Sequence, residues 1–213
     1  MLELINTPYN QDIFFILMVA SFFLIALIKG VYWKHAKLFF LGVFTQRYAN
    51  QYLREGNAFT ERVDLLTFLL MNINFTLIIA KLQSATHLQE IVFLFITIGL
   101  FFLVKVLLIK IFGALFKLKD LAKIAVFFSL LFDKTFSFIL SPLIVLIYFS
   151  SFDIYYFILI IALCLLILLL ILKIFWHWKI GKNSFGFSQA YIFLYLCTFE
   201  VFPVLLLGKA FFY

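Results

Sequence analysis

The chain has 213 residues, 66% of them hydrophobic and only 13% charged. A water-soluble domain of this size carries about 45–50% apolar and about 25% charged residues and still exposes much of its area, so a soluble globular fold is excluded. The net charge of +7 belongs to the segments between apolar runs, where basic residues mark cytoplasmic exposure rather than a nucleic-acid surface. In lipid, backbone polar groups must pair within a helix or a closed barrel. The apolar runs here are continuous, not alternating, which predicts helices. The expected fold class is all-α: a polytopic transmembrane bundle in one integral membrane domain, residues 1–213.

A span needs about 20 mainly apolar residues, and about six such runs occur. The first covers 13–33. The residues before it carry Glu3 and Asp12 and no Lys or Arg, so they lack the basic start of a signal peptide and the span is expected to stay in the mature chain. A polar loop, 34–64, follows. The second span, 65–80, carries Asn72, Asn74 and Thr76, a stripe expected to serve helix packing. The third, 91–112, has Lys105 and Lys110 near its end. The fourth is placed at 124–149 and is interrupted by Asp133 and Lys134; if it starts at Thr135 instead, both charges sit at its entrance. Ser141-Pro142 is a candidate bend. The fifth covers 154–176. The sixth, 188–207, carries Glu200 and Pro203.

Most of the 17 basic residues fall in alternate connections. Lys29, Lys34, Lys37, Arg47, Arg54 and Arg62 surround the first, Lys105, Lys110, Lys117, Lys119 and Lys123 the third, and Lys173, Lys179 and Lys182 the fifth. The other side holds Lys81 and Lys209. Because cytoplasmic loops carry the Lys and Arg excess, both termini are expected outside the cytoplasm. Trp33, Trp176 and Trp178 then mark cytoplasmic interfaces, and Tyr155 and Tyr156 an outer one.

The 34–64 loop reads as an amphipathic interfacial helix. Leu38, Leu41, Phe44, Tyr48 and Tyr52 recur at helical steps, with Gln46, Arg47, Asn50, Gln51 and Arg54 opposite. Gly56 is the expected stop, and Thr60 with Glu61 the start of the next helix. Arg47, Tyr48, Tyr52, Arg54 and Glu55 are the candidate residues for docking a protein partner or an anionic lipid headgroup; the plainer reading is a solvated connector.

The stretch from Gln46 to Phe59, QRYANQYLREGNAF, resembles the first inner loop of an uncharacterised family of integral membrane proteins found in Bacteroidota. The ending Tyr191–Pro203, YIFLYLCTFEVFP, is similar to that family's final span. The resemblance implies a small multi-span inner-membrane protein and no particular activity or cofactor.

Glu200 is placed deep in the last span, where a charge costs about 2.5–3.5 kcal/mol on insertion scales. It therefore calls for a partner, and Lys134 is the expected one. Asp133, Lys134 and Glu200 are the candidate intramembrane polar groups. His35, His87 and His177 lie at three separate segment ends, and no H-E-x-x-H, G-x-S-x-G or phosphate-binding loop occurs. No catalytic residue, metal site or cofactor is expected. Cys164 and Cys197 read as small buried hydrophobes.

The expected function is that of a non-enzymatic subunit or scaffold of a cell-envelope complex in the bacterial inner membrane, in contact with the lipid bilayer and other envelope proteins. The alternative is a small transporter or proton-coupled channel built on Glu200, Lys134 and Asp133. A third option is a lipid-binding or lipid-modifying protein.

Overall fold

The computed structural model describes residues 8–83, 87–115, 117, 119–149 and, with interruptions, 157–176. Among them the chain is all-helical. In order come α1 (Pro8–Val31), α2 (Trp33–Leu41), α3 (Gln46–Glu55), α4 (Ala58–Leu82), α5 (Leu88–Leu115) and α6 (Lys119–Phe149). The described residues between 157 and 176 are helical too. Four helices are long and apolar enough to cross a membrane, within Asp12–Val31, Ala58–Leu82, Leu88–Leu115 and Ala122–Phe149. The chain is thus a membrane protein by the length and composition of its helices. The expected sixth span, 188–207, lies outside the described residues.

Local chemistry sets the helix ends. Asn57 caps α4: its Oδ1 accepts from the N–H groups of Phe59 and Thr60, while Thr60 Oγ1 accepts from the Asn57 N–H. This reciprocal box starts the helix at Ala58, two positions ahead of the expected Thr60 and seven ahead of the apolar span at 65. Lys117 takes a positive φ of 57° in the short turn between α5 and α6, a conformation that most side chains resist.

The helix α4 is the centre of the bundle. It runs antiparallel to α1 and α5, packing Leu70 against Ile28, and Met71 against Ile98 and Phe102. Gly99 lets α5 approach closely, since a Cβ there would stand 3.1 Å from Asn72 Nδ2. It runs parallel to α6, with Leu77 level with Tyr148 and Leu70 level with Ser137. One end of the bundle therefore gathers α2, α3, the start of α4 and the α5–α6 turn.

The 34–64 loop is two helices rather than one. The chain breaks at 42–45, and Gly42 brings α2 against α3: a Cβ on it would stand 2.9 Å from the Phe39 carbonyl oxygen and 3.3 Å from Ala49 Cα. The shared apolar face of this pair packs on protein. Phe39, Val43, Ala49 and Tyr52 join Phe127, Phe128, Leu131 and Phe132 of α6 in the main core. Phe39 and Tyr52 both stack or edge against Phe127, at 6.0 and 5.6 Å between ring centroids. Phe44, expected on this face, sits at the break and is 72% exposed. Cys164 is exposed rather than buried.

Candidate functional site: a charged layer and a mounted surface helix

The helix α6 runs unbroken from Lys119 to Phe149, with Pro142 inside it. At about 1.5 Å per residue, Asp133 lies about 21 Å from its start, so the charges are mid-helix and not at an entrance. Neighbouring positions on a helix point about 100° apart, so Asp133 and Lys134 face different neighbours. Each finds an opposite charge there.

Lys134 turns to α4. Its Nζ lies 2.8 Å from Asp64 Oδ1 and 3.1 Å from the Asp64 carbonyl oxygen, and stands 5.5 Å from the centre of the Phe39 ring. The lysine is 4% exposed. The expected partner was Glu200. The anion that holds Lys134 among the described residues is Asp64, and Glu200 lies outside them. Asp133 turns the other way. Lys173 Nζ donates to both its oxygens, at 3.0 and 3.1 Å, and Lys105 Nζ lies 3.5 Å from Oδ2. Both lysines are buried.

On the α5 side the layer is flanked by apolar surface, whereas Asp64 at the α4 side is 45% exposed. Leu103 and Val104 before Lys105, and Leu107, Leu108 and Ile111 after it, are all exposed large hydrophobics. A buried charge in such surroundings is stable only when paired. The layer ties α4 to α6, and α6 to α5 and to the 170–176 helix.

A second polar group lies farther along the bundle. Asn74 Nδ2 donates to the Ser137 carbonyl oxygen at 2.9 Å and to Ser141 Oγ at 2.8 Å, and its Oδ1 accepts from Ser21 Oγ at 2.8 Å. One amide thereby joins α1, α4 and α6. Asn72 points to α5 and donates to the Phe95 carbonyl oxygen. Thr76 bonds back to the Asn72 carbonyl oxygen in its own helix. The Asn72, Asn74 and Thr76 stripe is thus spread over several faces of α4.

The docking candidates divide by exposure. Arg47 and Arg54 are exposed and Tyr48 is half-buried. Glu55 is half-buried; it accepts from Gln51 Nε2 and pairs with His35 Nδ1 at 3.2 Å. His35 stacks on Phe59 at 5.7 Å. Tyr52 is only 3% exposed, so it anchors α3 rather than meeting a partner. Its hydroxyl donates to the Thr60 carbonyl oxygen at 2.9 Å. Burial, reinforced by the Asp64 carboxylate, pushes the phenol well above its usual range. The outward face of α3 is left with Arg47, Asn50, Gln51, Arg54 and Glu55.

Sequence reasoning missed Asp64, Lys105 and Lys173 as parts of the layer. Lys105 and Lys173 are counted with the basic connections, and Asp64 is the last residue of the 34–64 loop. A signal was present for Asp64: it follows the Asn57–Thr60 box by four residues, which puts it inside α4.

The family of unknown function DUF4271 matches residues 14–211. This chain belongs to that family. No curated protein and no solved structure matches it. The family resemblance read from the inner loop and the last span is therefore upheld at the level of an uncharacterised family.

Proposed function

We propose that this DUF4271 protein is a non-enzymatic subunit or scaffold of a cell-envelope complex in the bacterial inner membrane, and that α3 is its partner-docking element. The observation that carries this reading is the mounting of α3. One face is fixed into the core through Ala49 and Tyr52, and the opposite face offers charged and amide side chains. A preorganised surface of that kind loses little ordering entropy on binding. Asp133 and Lys134 fit the same reading, because each is engaged by a neighbouring helix as a fastener. The full arrangement comprises six spans, with α2 and α3 on the cytoplasmic side and both termini outside. It rests on the apolar run at 188–207 and on the basic residues gathered at one end. A Bacteroidota origin rests on the motif resemblance alone.

Affinity purification in mild detergent tests the docking role. A stoichiometric protein partner is expected with the native chain and is lost with Arg54→Glu. A chain that purifies without any partner contradicts it. Reporter fusions at residues 85, 118, 152 and 182 test the orientation, which fails if 118 and 182 report outside.

A second reading, a proton-coupled channel or transporter using Glu200, Lys134 and Asp133, draws on one observation. Ser129 and Thr135 on α6 and Asn72 on α4 keep buried side-chain oxygens with no partner among the described residues. Proton uptake by proteoliposomes that Asp133→Asn abolishes would favour it over the scaffold.

A further inference from the structure

A groove runs between the α2–α3 turn and the 170–176 helix, lined by Val43, Phe44, Arg47, Leu172, Phe175 and Trp176 among others. Most of its lining is apolar, Thr45 and Gln46 being polar and neutral, and two of its rings are largely uncovered: Phe44 is 72% and Phe175 60% exposed. Arg47, exposed at the first turn of α3, is the one charged group among the described lining residues. Phe175 on the groove wall, and Ile171 next to Leu172 in the chain, are exposed large hydrophobics like those the long helices present. The groove therefore joins a lipid-facing surface to a cation at the end of the bundle where α2, α3 and the α5–α6 turn meet.

We infer that this groove binds one anionic phospholipid, with the headgroup phosphate on Arg47 and the acyl chains along Phe44 and Phe175. Three observations select that occupant. The charge is positive and single, suited to one phosphate. The flanking rings are large and apolar, suited to the glycerol and upper acyl region. Phe44 stands outward at a helix break, where water would otherwise meet it; lipid covers it without a conformational change. The site shares Arg47 with the outward α3 face and otherwise uses different residues.

The test is native mass spectrometry of the delipidated full-length protein. It is titrated with phosphatidylglycerol and, separately, with phosphatidylcholine of the same acyl chains. One phosphatidylglycerol per chain is expected to be retained at concentrations where phosphatidylcholine is not. Arg47→Gln should lower that occupancy about fivefold, the effect of about 1 kcal/mol for one basic residue near a membrane surface. Arg47→Lys should largely keep it, and Lys110→Gln, a charge lost from α5, should leave it unchanged. Equal retention of the two lipids overturns the proposal. So does an equal loss in Lys110→Gln, which would mean bulk attraction. Displacement of the lipid by millimolar inorganic phosphate, or a dimer that forms in place of the lipid adduct, overturns it as well. No protein partner is present in this titration, so its failure leaves the docking role of α3 standing, and failure of the partner purification leaves the lipid site standing.

Discussion

Two polar regions hold this bundle together, and they do so at different risk. The Asn74 group is neutral and redundant. Its serines can turn back on their own helices, as Ser141 Oγ already does toward the Ser137 carbonyl oxygen at 3.4 Å. The Asp64–Lys134 and Lys105–Asp133–Lys173 layer is ionic. A charge there that loses its counter-ion cannot be neutralised by turning a hydroxyl back on its own helix, as the serines can. The neutral group adjusts helix packing by small increments, whereas the ionic layer makes the whole helix arrangement conditional on correct pairing. A sequence with charges on adjacent residues of one helix thereby encodes which neighbour lies on which side.

The largest effect is expected from Asp133→Leu, which strips the carboxylate that two buried lysines share. Loss of one partner of a buried pair costs about 3–5 kcal/mol, so the variant should lose its monodisperse peak after solubilisation and heating. Survival at the native midpoint would show that the layer is not structural. Asn74→Leu should cost less, about 2 kcal/mol for its three interhelical bonds at about 0.6 kcal/mol each, read as a lowered thermal midpoint. If it costs as much as Asp133→Leu, the contrast between the two regions is gone. Gly42→Val should separate α2 from α3, because its side chain has no room beside Phe39 and Ala49. Faster proteolysis at 44–56 with the long helices intact is the expected readout, and unchanged cleavage speaks against the mounting of α3. The smallest effect is spectroscopic. Tyr52 should stay protonated as exposed tyrosines ionise near pH 10. The native-minus-Tyr52→Phe absorbance at 295 nm should therefore stay flat until alkaline unfolding. Since the folded phenol resists ionisation, its contribution to stability falls as pH rises above the ordinary tyrosine value.

Much of the bundle was legible in the sequence because length and apolar composition decide whether a helix can cross lipid. The four long described helices lie where continuous apolar runs predicted them. Their starts were read short, because caps such as Asn57 and the polar first turn of α4 extend a helix beyond its apolar part, whereas the first span was read to 33, past the end of α1 at Val31. The candidates Asp133 and Lys134 were legible as anomalies, since charge in an apolar run needs a reason. Their partners were not. Pairing depends on how high each residue sits and which way it faces, and counting charges per loop discards both. The amphipathic pattern at 34–64 was legible as well, but not the break at Gly42, because periodicity through Leu41 and Phe44 looks continuous until the close approach of Ala49 is known.

A double-mutant cycle on Asp64 and Lys134 tests the central claim most directly. Asp64→Asn, Lys134→Met and the double variant would be compared by thermal midpoint in one detergent. The pairing predicts that Asp64→Asn alone, which leaves a buried ammonium without its anion, is the least stable of the three. Adding Lys134→Met should recover most of the loss, because two neutral groups leave no orphaned charge. Losses that simply add, or an Asp64→Asn variant as stable as the native chain, would contradict it.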